Sequence, residues 1–148
     1  MTFPRKTCLT IAEECTLFRV RNASRAVTQL YEAALAPAGL KATQLSILVA
    51  TAARGGWTMS DLAATLGMDR TTLTRNCGPL RRRGLLRIGA GRDLRSVSVG
   101  ITPKGHQVLH RAYPLWRKAQ RGLVAGLGRR RWEALLEGLS ALATLARA

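Results

Sequence analysis

The side chains best suited to recognising another molecule lie together in one short polar segment. It carries two arginines, three threonines and an asparagine: Arg70, Thr71, Thr72, Thr74, Arg75 and Asn76. An arginine guanidinium can donate two hydrogen bonds to the O6 and N7 atoms of guanine, while hydroxyl and amide groups bond to phosphates or other base edges. We therefore predict contact with the major groove of DNA, with Arg75 as the foremost base-reading residue. The alternative is an amphipathic helix with a solvated basic face.

The charge of the chain agrees with a polyanionic partner. Its 148 residues include 24 Lys and Arg against 8 Asp and Glu, a formal net charge of +16. A solvated basic surface would give the same total, so the distribution of charge decides. Between residues 70 and 95 there are eight arginines, and the nearest acids are Asp69 and Asp93. Within this excess, Arg82 is predicted to contact phosphate, which raises affinity without reading sequence.

A second basic segment follows in a glycine-containing loop. Arg92 and Arg95 flank Asp93 there. An arginine at the tip of a loop suits the narrow, electronegative minor groove, and Asp93 would hold Arg95 in place. We therefore predict contact between Arg92, Asp93 and Arg95 and the minor groove. A plain turn stabilised by the aspartate is the alternative.

The sequence offers little material for catalysis or metal binding. No Ser/His/Asp set, glycine-rich phosphate loop or pair of carboxylates at workable spacing is present, so we predict no enzyme activity and no cofactor. His106 and His110 have the four-residue spacing of a ligand pair on a helix, but no acidic or cysteine companion lies nearby. We interpret them as a surface or interface pair and predict no metal site.

Cysteine usage and hydropathy indicate the compartment. Cys8, Cys15 and Cys77 cannot all pair within one chain and match no zinc spacing. No segment approaches the roughly 18 apolar residues of a membrane span. We expect a cytoplasmic, nucleoid-associated protein that does not enter a membrane.

The polar segment needs a scaffold, and the flanking sequence predicts a helix-turn-helix. Thr58 or Ser60 can cap a short helix, Gly67 permits a tight turn, and Asp69 caps the next helix. On that helix three apolar residues share one face and are predicted to be buried: Leu73, Cys77 and Leu80. The threonine and arginine side is then free.

A β-hairpin, or wing, is predicted to follow. Residues 85–88 and 97–101 have the composition of strands, with alternating apolar residues in the second, and the basic loop lies between them. Thr102 and Pro103 then begin a long helix that continues to about Leu127. The predicted fold class is mainly α with a two-stranded β wing, a winged helix-turn-helix.

Long helices at the chain ends predict a dimer. We expect one helix over residues 9–36, a second from Thr43 to about Arg54, and a last helix after residue 131 with a broad apolar stripe. One small core cannot absorb these stripes, although packing within the monomer is the alternative. We therefore divide the single domain, 1–148, into a helical dimerisation region, 1–40 and 103–148, and a DNA-binding region, 41–102.

An ordered set of motifs resembles the MarR family of bacterial regulators. They are the polar run at 69–76, Leu80-x-x-x-Gly-Leu-Leu86, Asp93-x-Arg95 and the Ile-Thr-Pro-x-Gly run at 101–105, preceded by matches at 23–31 and 39–44. The resemblance covers nearly the whole chain. It implies a winged-helix homodimer that binds a palindromic operator and represses genes until a small molecule or an oxidant releases it.

The resemblance also suggests a sensor. Relatives that respond to organic hydroperoxides carry a reactive cysteine early in the first helix, and Cys15 lies in that region, two residues from the matching position at Leu17. Cys15 is thus a possible redox sensor, with a small inert hydrophobe as the alternative.

Three aromatic residues could line a pocket for an aromatic effector or belong to the core: Trp57, Tyr113 and Trp116. The runner-up function is a basic RNA-binding or ribosome-associated protein.

Overall fold

The computed structural model describes residues 2–91 and 97–146. Seven α-helices and three β-strands are found in that part of the chain: α1 (Arg5–Glu14), α2 (Thr16–Leu35), α3 (Ala42–Ala53), β1 (Trp57–Thr58), α4 (Met59–Thr65), α5 (Arg70–Arg82), β2 (Leu86–Ala90), β3 (Val97–Ile101), α6 (Pro103–Leu127) and α7 (Arg129–Leu145). A short 3₁₀ turn, Ala36–Ala38, joins α2 to α3. The expected winged helix-turn-helix is confirmed.

The N-terminal helix differs from the single helix expected over residues 9–36. It begins earlier, at Arg5, and is interrupted at Cys15, whose backbone is extended (φ −68°, ψ 111°). The Cys15 amide still bonds to the Ile11 carbonyl at 2.9 Å, and this is the final helical hydrogen bond of α1. No residue of α1 is buried. The interruption therefore separates a solvated first helix from α2, which packs on α6.

The sheet has three strands rather than the two expected. Its order is β1-β3-β2, and both pairings are antiparallel. The predicted hairpin is present, with Ile88 opposite Val99. The additional strand, β1, pairs Trp57 with Val99 and is anchored by a hydrogen bond from Trp57 Nε1 to the Ala50 carbonyl at 2.9 Å. A two-residue strand is too short to show an alternating pattern, so no sequence pattern predicts it.

One hydrophobic core lies beneath the helix-turn-helix. Helices α3, α4 and α5, the sheet and the start of α6 contribute to it. Its largest fully buried side chains are Leu35, Ile47, Leu48, Leu62, Leu73, Leu80, Leu85, Val99 and Cys77. Because these residues come from every element around α5, the position of that helix is set by the core as a whole.

The joint between the hairpin and α6 is close. Thr102 caps α6 by accepting a hydrogen bond from the Gly105 amide (3.0 Å), and its hydroxyl donates to the Gly84 carbonyl (2.7 Å). At Gly105 a Cβ atom would lie 2.4 Å from the Leu85 carbonyl oxygen and 2.6 Å from Cγ1 of Ile101. Only glycine allows α6 to approach the sheet this closely.

The helices of the chain ends leave large apolar side chains exposed. Helix α7, like α1, buries no residue. The exposed apolar side chains of α2 and α7 include Leu17, Phe18, Val20, Val27, Leu30, Leu135, Leu136, Leu139 and Leu145. The apolar stripe predicted for the last helix is thus not absorbed by the protomer's own core.

Among the described residues, no single helix is both long and apolar enough to span a membrane. The segments 16–38 and 42–53 are long and apolar enough only when taken together, and their axes are bent by 72° relative to each other. Both contribute residues to the hydrophobic core.

Candidate nucleic-acid interface

The turn that precedes α5 forms as the sequence predicts. Thr58 caps α4 by accepting a hydrogen bond from the Asp61 amide at 3.1 Å. Gly67 adopts the left-handed conformation, with φ of 63°. The Met68 amide then bonds to the Ala63 carbonyl at 2.9 Å, closing the end of α4. The chain is thereby redirected into α5 within a few residues.

Asp69 caps α5 with both carboxylate oxygens. Oδ1 accepts from the Thr72 amide at 2.7 Å, and Oδ2 accepts from the Thr72 hydroxyl at 2.6 Å. These bonds, the side-chain bond foremost, lower the pKa of Asp69 below its ordinary value. The cap is therefore ionised at neutral pH, which also favours the positive end of the helix dipole.

The inner face of α5 is anchored by three fully buried side chains. They are Leu73, Cys77 and Leu80, as the helical phase predicts. Burial raises the pKa of the Cys77 thiol to about 11. Cys77 is thus a neutral, packed side chain at physiological pH, without the thiolate that redox chemistry requires.

Four of the six polar residues predicted on α5 form an exposed outer face. They are Arg70, Thr71, Thr74 and Arg75. Together they line a shallow depression of about 440 Å³. The Thr74 hydroxyl donates to the Arg70 carbonyl at 2.8 Å, so its lone pairs remain able to accept a bond from a ligand. The outer face thus presents donors and acceptors on one rigid helix.

Thr72 and Asn76 differ from the other four residues. Both are only partly exposed, and their side chains are bonded within the protein. The Thr72 hydroxyl is committed to Asp69. The Asn76 amide donates to the Thr72 carbonyl at 2.9 Å, and its oxygen accepts from the Thr43 hydroxyl on α3 at 3.1 Å. The helical phase gave no indication of these partners, because Thr43 is distant in sequence. Thr43 was expected only to begin the second helix, α3, which in fact begins at Ala42.

A groove of about 370 Å³ lies between α5 and the hairpin, and we call it the helix–hairpin groove. Its lining residues are Met59, Arg70, Thr74, Gly78, Arg81, Arg82, Ile88 and Val97. Cationic side chains on the helix thus face apolar side chains on the strands. Among these lining residues the sequence predicts DNA contacts for Arg70, Thr74 and Arg82, but it does not predict the groove itself. At Gly78 the lack of a side chain leaves the groove open.

Arg83 does not line the helix–hairpin groove with its neighbours Arg81 and Arg82. Its Nη1 donates to the Gly39 carbonyl at 2.7 Å and ties the end of α5 to the turn after α2. The residues predicted for the minor groove, Arg92, Asp93 and Arg95, lie outside the described part of the chain. Their contact with DNA stays a prediction.

A separate apolar cavity of about 450 Å³ lies between α3 and α6. It is lined by Leu45, Ser46, Val49, Leu109, Tyr113 and Trp116. Tyr113 and Trp116 stack with ring centroids 6.1 Å apart. Of the aromatic residues considered for a pocket, these two line one, whereas Trp57 is buried in the core.

The remaining candidates are not brought together into a site. Cys8 is exposed, Cys15 is partly buried at the junction of α1 and α2, and neither is in a disulfide. His106 and His110 are exposed and line a shallow hollow with Leu109 and Tyr113. Within residues 2–91 and 97–146 there is no cluster of three or more His, Cys, Asp or Glu side chains suited to a metal ion.

A capped, outward-facing helix after a tight turn, followed by a hairpin, defines a winged helix-turn-helix protein of the DNA-binding type. The family model described as "MarR family" matches residues 38–96. One solved relative, the Mycobacterium tuberculosis transcriptional regulator MosR in complex with DNA, is 42% identical, with 88% of this chain and 98% of that chain covered and a TM-score of 0.76. The chain belongs to the MarR family.

Other solved structures agree with this assignment. The transcriptional repressor CouR bound to a 23-mer DNA duplex is 29% identical, with 90% of this chain and 95% of that chain covered and a TM-score of 0.82. CouR bound to p-coumaroyl-CoA is 28% identical, with coverage of 90% and 94% and a TM-score of 0.79. No curated protein sequence is significantly similar to the chain.

Proposed function

We propose that this protein is a sequence-specific DNA-binding transcriptional regulator that acts as a repressor. The observation that carries the proposal is the outer face of α5, where Arg70, Thr71, Thr74 and Arg75 project from a helix anchored by a buried apolar face. The MosR and CouR complexes with DNA support the same role for this chain. In this assignment α5 is the recognition helix and enters the major groove.

The helix–hairpin groove has a role in the same complex. One sugar-phosphate strand separates the major groove, occupied by the recognition helix, from the adjacent minor groove, where the wing lies. That strand must pass between α5 and the hairpin. Arg81 and Arg82 then meet phosphate oxygens, while Ile88 and Val97 lie against deoxyribose. Arg92, Asp93 and Arg95 complete the proposal at the minor groove.

The roles of two arginines are separable by measurement. We expect Arg75→Ala to reduce the discrimination between operator and random DNA by about 1–3 kcal/mol, because it removes a bidentate base contact. Arg82→Ala is expected to weaken binding to both duplexes about equally and to lower the salt slope by about 1. Fluorescence anisotropy over a salt series gives both quantities. Equal losses of discrimination in the two variants would remove Arg75 from base readout.

The runner-up, an RNA-binding protein, shares the net charge of +16 but has no use for the capped recognition helix. A gel-shift assay that compares duplex DNA from the gene's own upstream region with a structured RNA of equal length separates the two functions. Tighter binding to the RNA would overturn the proposal. The proposed function includes no catalysis. We propose that the protein acts in the cytoplasm, where bacterial DNA lies.

We propose a homodimer joined through the chain-end regions, 1–40 and 103–148, with residues 41–102 as the DNA-binding region. The exposed leucines of α7 support this division. Two-fold symmetry would place two recognition helices about one DNA turn, ~34–36 Å, apart on a palindromic operator. Leu136→Asp is expected to yield monomers in sedimentation equilibrium, whereas Ala141→Asp on the opposite side of α7 leaves dimers. A dimeric Leu136→Asp protein would contradict the division.

The signal that releases DNA is proposed to be a small molecule that inserts an aromatic, largely apolar group into the cavity between α3 and α6. The cavity between α3 and α6 lies where the DNA-binding region meets the dimerisation helices, and Tyr113 and Trp116 offer aromatic surfaces. With p-coumaroyl-CoA and simple aromatic carboxylates as probes, Val49→Trp should abolish release while DNA binding persists. Unaltered release by Val49→Trp would exclude the cavity as the effector site.

An oxidant acting on Cys15 is the second candidate signal. Equal release of DNA by the wild type and Cys15→Ser on addition of hydroperoxide would exclude this signal.

A further inference from the structure

Asn76 is chemically suited to reading adenine, yet the structure gives its side chain two partners within the protein. Its amide nitrogen donates to the Thr72 carbonyl at 2.9 Å. Its amide oxygen accepts from the Thr43 hydroxyl at 3.1 Å. Reading adenine requires both amide groups at once, because the oxygen accepts from N6 while the nitrogen donates to N7. The two internal bonds hold the amide in one orientation, so a base contact by Asn76 would have to accommodate them or replace them.

The bonds of Asn76 belong to a continuous chain of polar contacts along the inner flank of α5. From Thr43 on α3 the chain passes to Asn76, then to Thr72, and ends at the carboxylate of Asp69. It therefore joins the first turn of α3 to the N-terminal cap of the recognition helix. Thr43, Thr72 and Asn76 are all partly buried, which shields the two bonds of Asn76 from competition by water.

We propose that Thr43 and Asn76 are positioning residues for DNA recognition: they set the rotation of α5 against α3, and Asn76 contacts no base. The buried apolar face of α5, which includes Leu73 and Leu80, fixes the position of the helix in the core through packing contacts that have little directional preference. A directional hydrogen bond from α3 resists rotation of α5 about its axis. The outer arginines then reach the groove in one orientation.

The hydrogen bond between Thr43 and Asn76 also joins the recognition helix to α3, which forms one wall of the cavity between α3 and α6. Helix α3 carries Thr43 on its first turn and Leu45 and Val49 at the cavity wall. A ligand that displaces α3 would therefore move the partner of Asn76 as well. This inference rests on the proposed function, sequence-specific DNA binding.

The test uses the full-length protein and a duplex selected by the wild type from a randomised DNA pool, with a scrambled duplex as reference. Thr43→Val removes the hydroxyl at nearly constant volume, and Thr43→Ser keeps it. We expect Thr43→Val and Asn76→Ala each to lower the ratio of selected to scrambled affinity about 2- to 10-fold, the range of one hydrogen bond. Thr43→Ser should stay near the wild type. Thr144→Val, the same change on α7, is the matched control.

Two further measurements separate positioning from base contact. The double variant Thr43→Val/Asn76→Ala should lose no more specificity than Asn76→Ala alone, because Asn76→Ala already removes the bond that Thr43→Val removes. On duplexes with single base-pair changes, the loss should spread over several positions. Loss confined to one base pair, additive effects, or a Thr43→Val protein with wild-type specificity would overturn the positioning role. If the wild type selects no sequence from the pool, the proposed function itself fails.

Discussion

Gly105 provides a test of the joint between the dimerisation helix α6 and the DNA-binding region. In an exposed helix interior, glycine to alanine raises stability by about 0.5–1 kcal/mol, because alanine loses less backbone entropy on folding. At Gly105 the new Cβ atom would lie 2.4 Å from the Leu85 carbonyl oxygen. To reach even 3.0 Å, helix α6 or the segment just before β2 must shift by about 0.6 Å.

The group in the way is backbone, so no side-chain rotation relieves the clash. Overpacking of this kind costs about 1–3 kcal/mol, which exceeds the helical gain. We therefore expect Gly105→Ala to be less stable than the wild type by about 1–2 kcal/mol. Gly122→Ala lies on the same helix with no neighbour of the protomer within 4 Å, and it should be slightly stabilising.

The assay is urea unfolding followed by circular dichroism, at one fixed protein concentration for all three proteins. A Gly105→Ala protein as stable as the wild type would refute the reasoning, because it would show that α6 can move away from Leu85 at no cost. The opposite signs expected for the two alanine substitutions separate the steric effect from helix propensity.

Three other predictions concern the core and the cap of the recognition helix. The depressed pKa of Asp69 means that its ionised cap stabilises the fold above the ordinary pKa of 3.8 and that this contribution is lost as the pH falls through the lower folded-state value. In urea titrations the wild type should exceed Asp69→Asn in stability at pH 7, and the difference should shrink as the pH falls below 3.8; a constant difference would contradict the assignment. Because the pKa of Cys77 is about 11, iodoacetamide at pH 8 should modify it only after unfolding, as mass spectrometry of the native and denatured protein would reveal. Trp57→Phe removes the bond to the Ala50 carbonyl and should cost about 1 kcal/mol in urea unfolding, and an unchanged midpoint would show that the bond adds nothing.

The sequence predicted the fold where local chemistry determines local structure. The caps at Thr58, Asp69 and Thr102 and the turn at Gly67 form as expected, since each depends on residues within three positions. The interruption at Cys15 was not predicted, because no proline or glycine lies near it in the sequence. Strand β1 depends on pairing with β3, about forty residues away, and such contacts leave no local pattern.

The candidate site was predictable to a similar degree. Helical phase separated the buried Leu73, Cys77 and Leu80 from the exposed arginines correctly. It could not separate Thr71 from Thr72, because the difference lies in the hydrogen bonds of the cap. The partner of Asn76 stands 33 residues earlier in the chain, so only the packing of α3 on α5 reveals it.

The uncovered leucines of α7 have a thermodynamic consequence for the proposed homodimer. Helix α7 buries no residue within the protomer, so its leucines would become buried on association, which links dimerisation to folding stability. The melting temperature should then rise with total protein concentration, by mass action. Dilution would deplete the native state and the operator-bound state together.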